Sequence, residues 1–357
     1  MIKSSYSVVG VMSGTSLDGV DFCWVNFSKN KKWDFKILAT ETEPYLPEMK
    51  VRLESAITFG SNQLENLNQD YTEYIGQRIY NFIQRHQIKN LDAVCSHGHT
   101  IFHQPEQGLT LQVGNLPKIA NYVQQTVVCD FRVQDVAMGG QGAPLVPVGD
   151  KLLFPQHDFC LNLGGFANIS FQHNKQRIAF DICPVNIILN HYVQALGSSF
   201  DKDGKYAAQG TLHQPLLEAL NALNFYQNPP PKSLGLEWVQ KEIYPLAERF
   251  STTTESLLRT FVEHSAIQIA AVLKHNNLRH GLFTGGGVFN SFLMFRIADL
   301  LDHKIPMAES SLIHYKEALI FAFLGVLRLR DEVNCLQSVT GANQDHSSGK
   351  IYFCSIK

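Results

Sequence analysis

The chain has 357 residues, of which 45% are hydrophobic and 17% are charged. Its length predicts two domains. Because 30 basic residues stand against 32 acidic ones, with no long run of Lys or Arg, the charge argues against nucleic acid or an anionic membrane as a partner. A small polar ligand is the better expectation.

Targeting signals are not evident in the sequence. The first ten residues lack the apolar core of a secretory signal, and the longest nearly apolar run, Ala318 to Leu327, is far shorter than the roughly 20 residues that span a bilayer. The seven cysteines are scattered and form no Cys-x-x-Cys pair. This usage predicts mostly buried thiols in a reducing cytoplasm.

Two β-rich segments flank a short turn near the start of the chain. They run from Tyr6 to Met12 and from Val20 to Phe27, and Ser13 to Gly19 lies between them, which predicts a β-hairpin. Small residues in such a turn let backbone amides and hydroxyls approach an anion closely. An ordinary hairpin turn is the alternative, with Asp18 and Asp21 bonded to their own backbone.

A helix and a short strand come next. Apolar residues at helical spacing from Leu64 to Ile83 predict the helix, and Leu91 to Cys95 predicts a strand that leads into Ser96-His-Gly-His-Thr100. The histidines of this segment, with His103, lack the spacing of a helical zinc pair. We therefore expect one of them to contact a substrate rather than a metal.

The middle of the chain is a connector rich in glycine and proline, from Gly139 to Pro147. Asp130-Phe-Arg132 precedes it. The Arg132 guanidinium is suited to bidentate binding of a carboxylate or phosphate, and an interlobe salt bridge is the alternative.

The hairpin pattern returns in the second half of the chain. Phe159 to Leu163 leads through Gly164-Gly165 into Phe166 to Phe171, and a third strand is expected to end at Asp181. Two copies of one plan predict two related lobes. A carboxylate at a strand end suits a general base or a metal ligand, and a helix N-cap is the alternative.

The remaining pattern alternates a helix with a strand. Thr252 and Glu255 predict a capping box for a helix through Leu273, and the strand Gly281 to Phe283 then meets Thr284-Gly-Gly-Gly287. Such a glycine run permits a ring to lie flat on the backbone, or forms a plain strand-helix turn. The alternation predicts α/β layers with a ligand cleft at the carboxyl ends of the strands.

Taken in order, several segments resemble the anhydro-N-acetylmuramic acid kinase family, and the likeness runs from about residue 7 to 342. They are Gly10 to Asp21, Ser96 to Pro105, Leu111 to Gly114, Asp130 to Arg132, Gly139 to Pro147, Asn162 to Asn168, Gly285 to Asn290, Glu317-Ala318 and Val339 to Ala342.

The resemblance implies an α/β fold of the actin, Hsp70 and sugar-kinase (ribonuclease H-like) type, with two related lobes and ATP in the interlobe cleft. We expect an N-terminal lobe over residues 1–134 and a C-terminal lobe over residues 135–357. Whether the C-terminal tail returns to the first lobe is left open.

The implied activity is that of an ATP- and Mg²⁺-dependent kinase in the recycling of cytoplasmic peptidoglycan fragments. Such an enzyme hydrolyses the internal bond of 1,6-anhydro-N-acetylmuramic acid and phosphorylates O6. The alternatives are a kinase of another amino sugar and a non-catalytic or chaperone-like ATP-binding protein of the same fold. The oligomeric state, a homodimer included, is left open.

The resemblance also implies roles for individual residues. Asp181 matches the catalytic aspartate, His97 and Arg132 lie in motifs that face the sugar, and Mg²⁺ is held through ATP with its protein ligands unassigned. The implied phosphate-binding residues are Gly14, Thr15, Ser16, Leu17, Asp18, Gly19, Val20, Asp21, Asn162, Gly164 and Gly165, and those for adenosine are Gly285, Gly286, Gly287 and Asn290.

Two motifs depart from the family pattern. The family usually has Asp-Thr-Gly-Pro-Gly-Asn at the catalytic aspartate, where this chain has Asp181-Ile-Cys-Pro-Val-Asn186. His99 stands where Gln is common. Because Asp181, Pro184 and Asn186 remain, we expect activity to be retained, and the sugar preference is the property that these changes affect most.

Overall fold

Runs of consecutive strands are separated by helices along the chain, in the mixed α/β pattern that the periodicity predicts. The computed structural model describes residues 3–14 and 17–355. The strands are β1 (Ser5–Ser13), β2 (Val20–Lys29), β3 (Trp33–Glu43), β4 (Ala93–Ser96), β5 (His99–Gln104), β6 (Leu109–Val113), β7 (Val127–Cys129), β8 (Phe159–Leu163), β9 (Phe166–His173), β10 (Gln176–Pro184), β11 (Gly281–Thr284) and β12 (Lys350–Tyr352). The helices are α1 (Pro47–Ser55), α2 (Ser61–Arg85), α3 (Ile119–Val123), α4 (Val133–Ala137), α5 (Val146–Leu153), α6 (Asn186–Val193), α7 (Lys205–Gln209), α8 (Gln214–Asn221), α9 (Leu236–Trp238), α10 (Tyr244–Ala247), α11 (Thr254–His275), α12 (Ser291–Leu301), α13 (Ser310–Leu329) and α14 (Gln337–Thr340).

The chain divides into two compact units. Unit 1 comprises Met1–Phe154 and Tyr315–Lys357, and unit 2 comprises Pro155–His314. The boundary expected after residue 134 differs from this division. Residues 135–154 belong to unit 1, where α5 packs on β3 and the Phe154 ring contacts Phe35.

The two units contain sheets with the same strand plan. The order is β12-β7-β4-β1-β2-β3 in unit 1 and β10-β9-β8-β11 in unit 2. In each sheet three consecutive strands form an antiparallel meander, β1-β2-β3 or β8-β9-β10, and a later strand, β4 or β11, pairs in parallel with the first strand of the meander. This repetition confirms the predicted α/β class with two related parts.

The last strand extends the sheet of unit 1. β12 pairs antiparallel with β7, so the end of the described chain returns to the first sheet. β7 is itself parallel to β4.

Each sheet is covered by a long helix with a buried apolar face. In unit 1, Val9 and Phe22 share a buried cluster with Leu67 and Phe82 of α2. In unit 2, the strands share a cluster with α11, whose apolar residues continue around much of the helix. Burial of apolar surface stabilises the fold by roughly 25 cal/mol per Å², so such clusters are the main source of stability.

Two glycines bring α13 close to the sheet of unit 1. A Cβ at Gly10 of β1 would lie 1.9 Å from the Ala318 carbonyl oxygen, and one at Gly325 of α13 would lie 2.1 Å from the Cys95 sulfur. A side chain at either position would push the helix away. The close approach places the preceding residue, Glu317, near the carboxyl ends of β1 and β4.

The structure refines several predicted element ends. The third strand of the second meander was expected to end at Asp181, but β10 continues to Pro184, with a bulge between Asp181 and Cys183. The predicted capping box at Thr252 is wrong by one position, because the Thr253 side chain accepts the hydrogen bond from the Ser256 amide. The helix after Asp181 is capped by Val185, so the alternative of Asp181 as its N-cap is excluded.

The prediction of mostly buried thiols is confirmed for the described chain, in which six cysteines are buried and Cys354 is half-buried. The helices of residues 3–14 and 17–355 include none that is both long enough and apolar enough to cross a bilayer.

Candidate active site

In unit 1, three candidate side chains converge at the carboxyl ends of β1 and β4. His97 follows β4 and its amide donates to the Val11 carbonyl oxygen at 3.0 Å. Arg132 lies at the start of α4, and its Nε donates to His97 Nε2 at 2.9 Å. A second guanidinium nitrogen donates to the Gly142 carbonyl oxygen at 2.7 Å. The structure thus brings together the two residues that the resemblance assigns to the sugar.

The hydrogen bonds determine the protonation of His97. Its Nε2 accepts from Arg132, so its Nδ1 carries the proton and donates to the Gly98 carbonyl oxygen at 2.9 Å. Burial, with the nearby Arg132 charge, holds the pKa of His97 well below its usual value. His97 is therefore a neutral, oriented imidazole at physiological pH.

Glu317 completes this group, because its carboxylate interacts electrostatically with Arg132. The side chain is accessible to solvent, yet the surrounding protein desolvates the carboxyl enough to raise its pKa, against the opposing effects of Arg132 and Lys316. Burial likewise lowers the pKa of Arg132 to about 10, so the guanidinium stays charged at neutral pH. A carboxylate and a guanidinium beside a neutral imidazole suit the recognition of a polar, charged sugar.

A buried hydrogen-bonded chain lies beside these residues. Ser13 Oγ is 2.7 Å from His99 Nδ1 and 2.5 Å from the Tyr45 hydroxyl, which is 2.8 Å from the Tyr71 hydroxyl. Burial lowers the pKa of His99 to about 4, so this ring is also neutral. The histidine that replaces the family's usual Gln is thus part of a fixed network at the end of β1.

The first predicted phosphate loop has one end in the turn and the other in β2. Thr15 and Ser16 lie outside the described residues. The Leu17 amide donates to the Gly14 carbonyl oxygen at 3.3 Å, and Asp18 is exposed. Asp21, with Val20, belongs to β2 rather than to the turn, and its carboxylate accepts from the Thr42 hydroxyl at 2.6 Å.

Gly19 sits against β3 at the end of this loop. A Cβ there would lie 2.8 Å from the Glu43 carbonyl oxygen. The glycine is therefore required by the packing of the hairpin, whether or not its amide contacts a phosphate.

In unit 2, the two predicted nucleotide segments meet at one edge of the sheet. β8 and β11 are parallel neighbours, with Asn162 opposite Thr284, so their carboxyl ends and the glycine turns that follow lie side by side. A Cβ at Gly285 would be 2.6 Å from Asn162 Oδ1 and 2.8 Å from the Leu163 carbonyl oxygen. Gly285, at φ 84°, thus lets the second turn close onto the first.

The outer positions of these turns are open. A Cβ at Gly165 would meet nothing closer than the Ile187 Cβ at 3.7 Å, and one at Gly286 nothing closer than Asn186 Nδ2 at 3.9 Å. Gly164 is tighter, because a Cβ there would be 3.2 Å from Asn162 Nδ2. Backbone that is uncovered in this way is accessible to a flat or anionic ligand.

Gly287 and Asn290 have structural contacts of their own. Gly287 packs on Leu163, where a Cβ would lie 2.8 Å from the leucine Cβ. Asn290 is buried, and its Oδ1 accepts from the Leu293 amide at 3.0 Å as the N-cap of α12. The carboxamide oxygen of Asn290 is thus engaged in helix capping.

Asp181 lies on β10 at the bulge. Its amide donates to the Lys232 carbonyl oxygen at 3.0 Å, and its Oδ2 accepts from the Leu234 amide at 2.8 Å. Burial raises the pKa of Asp181 to about 6, although the Leu234 hydrogen bond opposes the rise. A carboxylate that ionises near neutral pH is suited to accept and return a proton.

The residues that depart from the family pattern pack into the core of unit 2. Ile182, Cys183 and Val185 are buried in the main apolar cluster, and the Ser265 hydroxyl of α11 donates to the Pro184 carbonyl oxygen at 3.1 Å. The Val185 amide donates to the Gly165 carbonyl oxygen at 2.8 Å. The departures therefore change internal packing behind Asp181, and the turn at Gly165 remains tied to this segment.

A family model described as anhydro-N-acetylmuramic acid kinase matches residues 6–354. A relative of that name from Mannheimia succiniciproducens is 34% identical, over 99% of this chain and 100% of its own length. The chain belongs to the anhydro-N-acetylmuramic acid kinase family. Another relative so named, from Pseudomonas fluorescens, is 33% identical over 96% of this chain and 98% of its own, which confirms the resemblance found in the motifs.

Solved structures match more distantly. The activator of the 2-hydroxyisocaproyl-CoA dehydratase from Clostridium difficile, with bound ADPNP, aligns with 91% of this chain and 97% of its own at 12% identity and a TM-score of 0.44. The assignment to the family of kinases rests on the sequence matches.

Sequence reasoning missed two residues near the ends of β1 and β4 in unit 1. The Glu317-Ala318 pair was noticed only as part of the resemblance, and Tyr45 was not singled out. A signal for Glu317 existed, because this carboxylate directly precedes the long apolar run from Ala318 to Leu327. For Tyr45 no local pattern marks the contact with Ser13.

Proposed function

We propose that this protein is an ATP- and Mg²⁺-dependent kinase that opens 1,6-anhydro-N-acetylmuramic acid and phosphorylates O6, in the cytoplasmic recycling of peptidoglycan. The match to the family across residues 6–354 carries the proposal. Two further observations support it. The raised pKa of Asp181 suits a general base, and the hydrogen-bonded pair of His97 and Arg132 suits the binding of a charged sugar.

The group of His97, Arg132 and Glu317 in unit 1 would bind the sugar. Muramic acid carries a lactyl carboxylate, which needs a cationic partner, and Arg132 has five N–H donors, of which His97 and Gly142 take two. Glu317 is suited to accept from sugar hydroxyls. Because the imidazole and guanidinium are already held by the protein, little side-chain freedom would be lost on binding.

Asp181 would act as the general base. It would take a proton from the water whose oxygen attacks the anomeric carbon, while the bond from that carbon to O6 breaks and its electron pair stays on O6. O6 is then free to act as the nucleophile in phosphoryl transfer. A pKa of about 6 leaves most Asp181 carboxyls ionised at pH 7 and able to accept the proton.

The turns of unit 2 fit a nucleotide. Asn162, Gly164 and Gly165 would hold phosphate oxygens through amide donors, and the uncovered backbone at Gly286 would face the adenosine. The first hairpin turn would supply further phosphate contacts. ATP supplies the phosphoryl group, Mg²⁺ neutralises its charge, and the protein ligands of Mg²⁺ are not assigned.

Release of ADP with and without 1,6-anhydro-N-acetylmuramic acid tests the proposal. Sugar-dependent release with a ring-opened, phosphorylated product is expected. Release that is absent or independent of sugar would support the chaperone-like alternative, and turnover only with another amino sugar would support the second kinase alternative.

Asp302→Asn is the matched control for changes at Asp181, because Asp302 is an exposed carboxylate of the same unit.

A further inference from the structure

A buried cluster of three metal-binding residue types lies in unit 1 outside the proposed sugar and nucleotide residues. Asp135, Cys335 and His346 each offer one ligand atom, and these atoms lie within 4.8 Å of one another. The three residues are 0%, 2% and 7% exposed. Neither Cys335 nor His346 lies in a motif that carries the family resemblance, so the cluster is not explained by the proposed reaction.

His346 presents an unpaired nitrogen to this cluster. Its Nδ1 lies 3.1 Å from the Gln344 carbonyl oxygen, which can only accept, so Nδ1 carries the proton in the neutral ring. Its Nε2 is buried and has no hydrogen-bond partner among the described residues. This nitrogen lies 3.5 Å from Asp135 Oδ1, so two acceptors face each other with no donor between them.

Asp135 is held in place by donors on its other sides. Its Oδ2 accepts from the Gly142 amide at 2.7 Å, and its Oδ1 accepts from the Thr340 hydroxyl at 2.8 Å. A Cβ at Gly140 would lie 2.2 Å from Oδ2, so this glycine is needed for the carboxylate to fit. Partners of this kind orient metal-binding carboxylates and imidazoles in known sites.

We infer that Asp135, Cys335 and His346 form a site for a divalent transition metal, with Zn²⁺ as the best match. Thiolate, imidazole and carboxylate are the ligand types that Zn²⁺ takes, at bonds of about 2.0 to 2.3 Å. Tetrahedral bonds of that length separate ligand atoms by roughly 3.3 to 3.8 Å, so a contraction of at most about 1 to 1.5 Å closes the cluster. The fourth position is left for a buried water molecule.

The charges around the cluster are compatible with a dication. Burial and Asp135 raise the pKa of Cys335, so its thiol is protonated without metal, and Zn²⁺ binding releases that proton to solvent. The thiolate and the Asp135 carboxylate then neutralise the metal. The Arg132 guanidinium, which is the charged group that acts on both of them, favours the thiolate.

Bound metal would join two distant parts of the chain. Asp135 lies on α4, which begins next to Arg132, whereas Cys335 and His346 are paired with each other in the C-terminal segment. A metal would therefore fix the C-terminal segment to the helix that carries the sugar-binding arginine. Its expected role is structural, because the buried cluster offers no access to a substrate.

The test uses the full-length protein, freed of metal with a chelator and then titrated with Zn²⁺ alone and with Co²⁺ alone. We expect one Zn²⁺ per chain, a rise in Tm, release of one proton, and a Co²⁺ spectrum with a thiolate charge-transfer band. Cys335→Ser should remove that band. Cys335→Ser and His346→Gln should each weaken Zn²⁺ binding at least about 100-fold, beyond the 10- to 100-fold typical of changes to outer partners.

Cys354→Ser is the matched control, because Cys354 is a half-buried cysteine of the same segment that lies outside the cluster, and the variant should bind Zn²⁺ as the parent does. Two results would overturn the inference. One is Zn²⁺ binding that survives both Cys335→Ser and His346→Gln. The other is the absence of stoichiometric Zn²⁺ binding by the chelator-treated protein.

Discussion

The candidate groups of the two units differ in how firmly their side chains are held. In unit 1, Arg132 and His97 bond to each other and to backbone carbonyls, and His97 is neutral. In unit 2, the Asp181 carboxylate accepts a backbone hydrogen bond from Leu234 and has a pKa raised to about 6. The first arrangement suits recognition, which gains from rigid donors, and the second suits proton transfer, which needs a group that changes charge.

The sheets of the two units share a strand plan, which makes the difference between their candidate groups more informative. Both units have the same order of three meander strands and one parallel strand, yet the groups at the ends of these strands differ in kind. A shared strand plan therefore supplies the location of a site, and the side chains at the strand ends supply its chemistry. Variants in each group should separate binding from turnover.

The largest effect is expected for Asp181→Asn. The amide keeps an acceptor for Leu234 but takes up no proton, so turnover should fall at least about 10²-fold while ATP binding is kept. The measurement is sugar-dependent ADP release together with calorimetric titration of ATP, with Asp302→Asn as control. Near-normal turnover would remove Asp181 from the role of base.

A smaller effect, and mainly on KM, is expected for Arg132→Lys. Lysine keeps the charge but lacks the planar fork that bonds to His97 and Gly142, so the KM for the sugar should rise about 10- to 100-fold, as for lost hydrogen bonds to a charged group. The exposed Arg52→Lys, in an ion pair with Asp70, is the control. An unchanged sugar KM would show that Arg132 does not bind the sugar.

A substitution at Gly10 tests the close packing of α13 on β1. Because a Cβ there would lie 1.9 Å from the Ala318 carbonyl oxygen, Gly10→Ala should destabilise the protein by about 3 kcal/mol or more. Gly165→Ala, with nothing nearer than 3.7 Å, should cost much less stability and act mainly on the KM for ATP. Thermal unfolding and kinetics of both variants measure this. Equal loss of stability would contradict the packing assigned to these glycines.

The smallest effect is a gain in stability from Asp181→Asn. A pKa that rises from 3.8 to about 6 on folding means that the folded state favours the protonated form, so ionisation of Asp181 destabilises the fold as the pH rises above 3.8, and the full effect is reached above about pH 6. At 1.36 kcal/mol per pKa unit, the neutral amide should stabilise the protein by at most about 3 kcal/mol at pH 7 and by almost nothing near pH 4. Denaturant unfolding at the two pH values tests the sign.

Much of the fold was predictable because the signals are local. The alternating residues around Gly14 and around Gly164-Gly165 predict the two hairpins, and both were found as β1-β2 and β8-β9. Asp181 was predictable as a residue that follows an apolar run, although its strand extends further because a bulge lets pairing continue to Pro184.

The unpredicted features depend on residues that are distant in sequence. Glu317 comes beside Arg132 because Gly10 admits α13, and Tyr45 reaches Ser13 from the end of β3. The buried cluster of Asp135, Cys335 and His346 is another case. Hydrophobic period and turn chemistry describe each element alone, so they carry no information on which side chains meet.

The pKa of Asp181 itself tests the central contrast most directly. Titration of the Asp181 carboxyl carbon by NMR, with selectively labelled aspartate and the Asp181→Asn variant to assign the signal, measures that value in the whole protein. We predict a midpoint near pH 6, as expected for a desolvated base ready to accept a proton. A midpoint at or below 4 would show an ordinary, solvated carboxylate and would contradict the role assigned to unit 2.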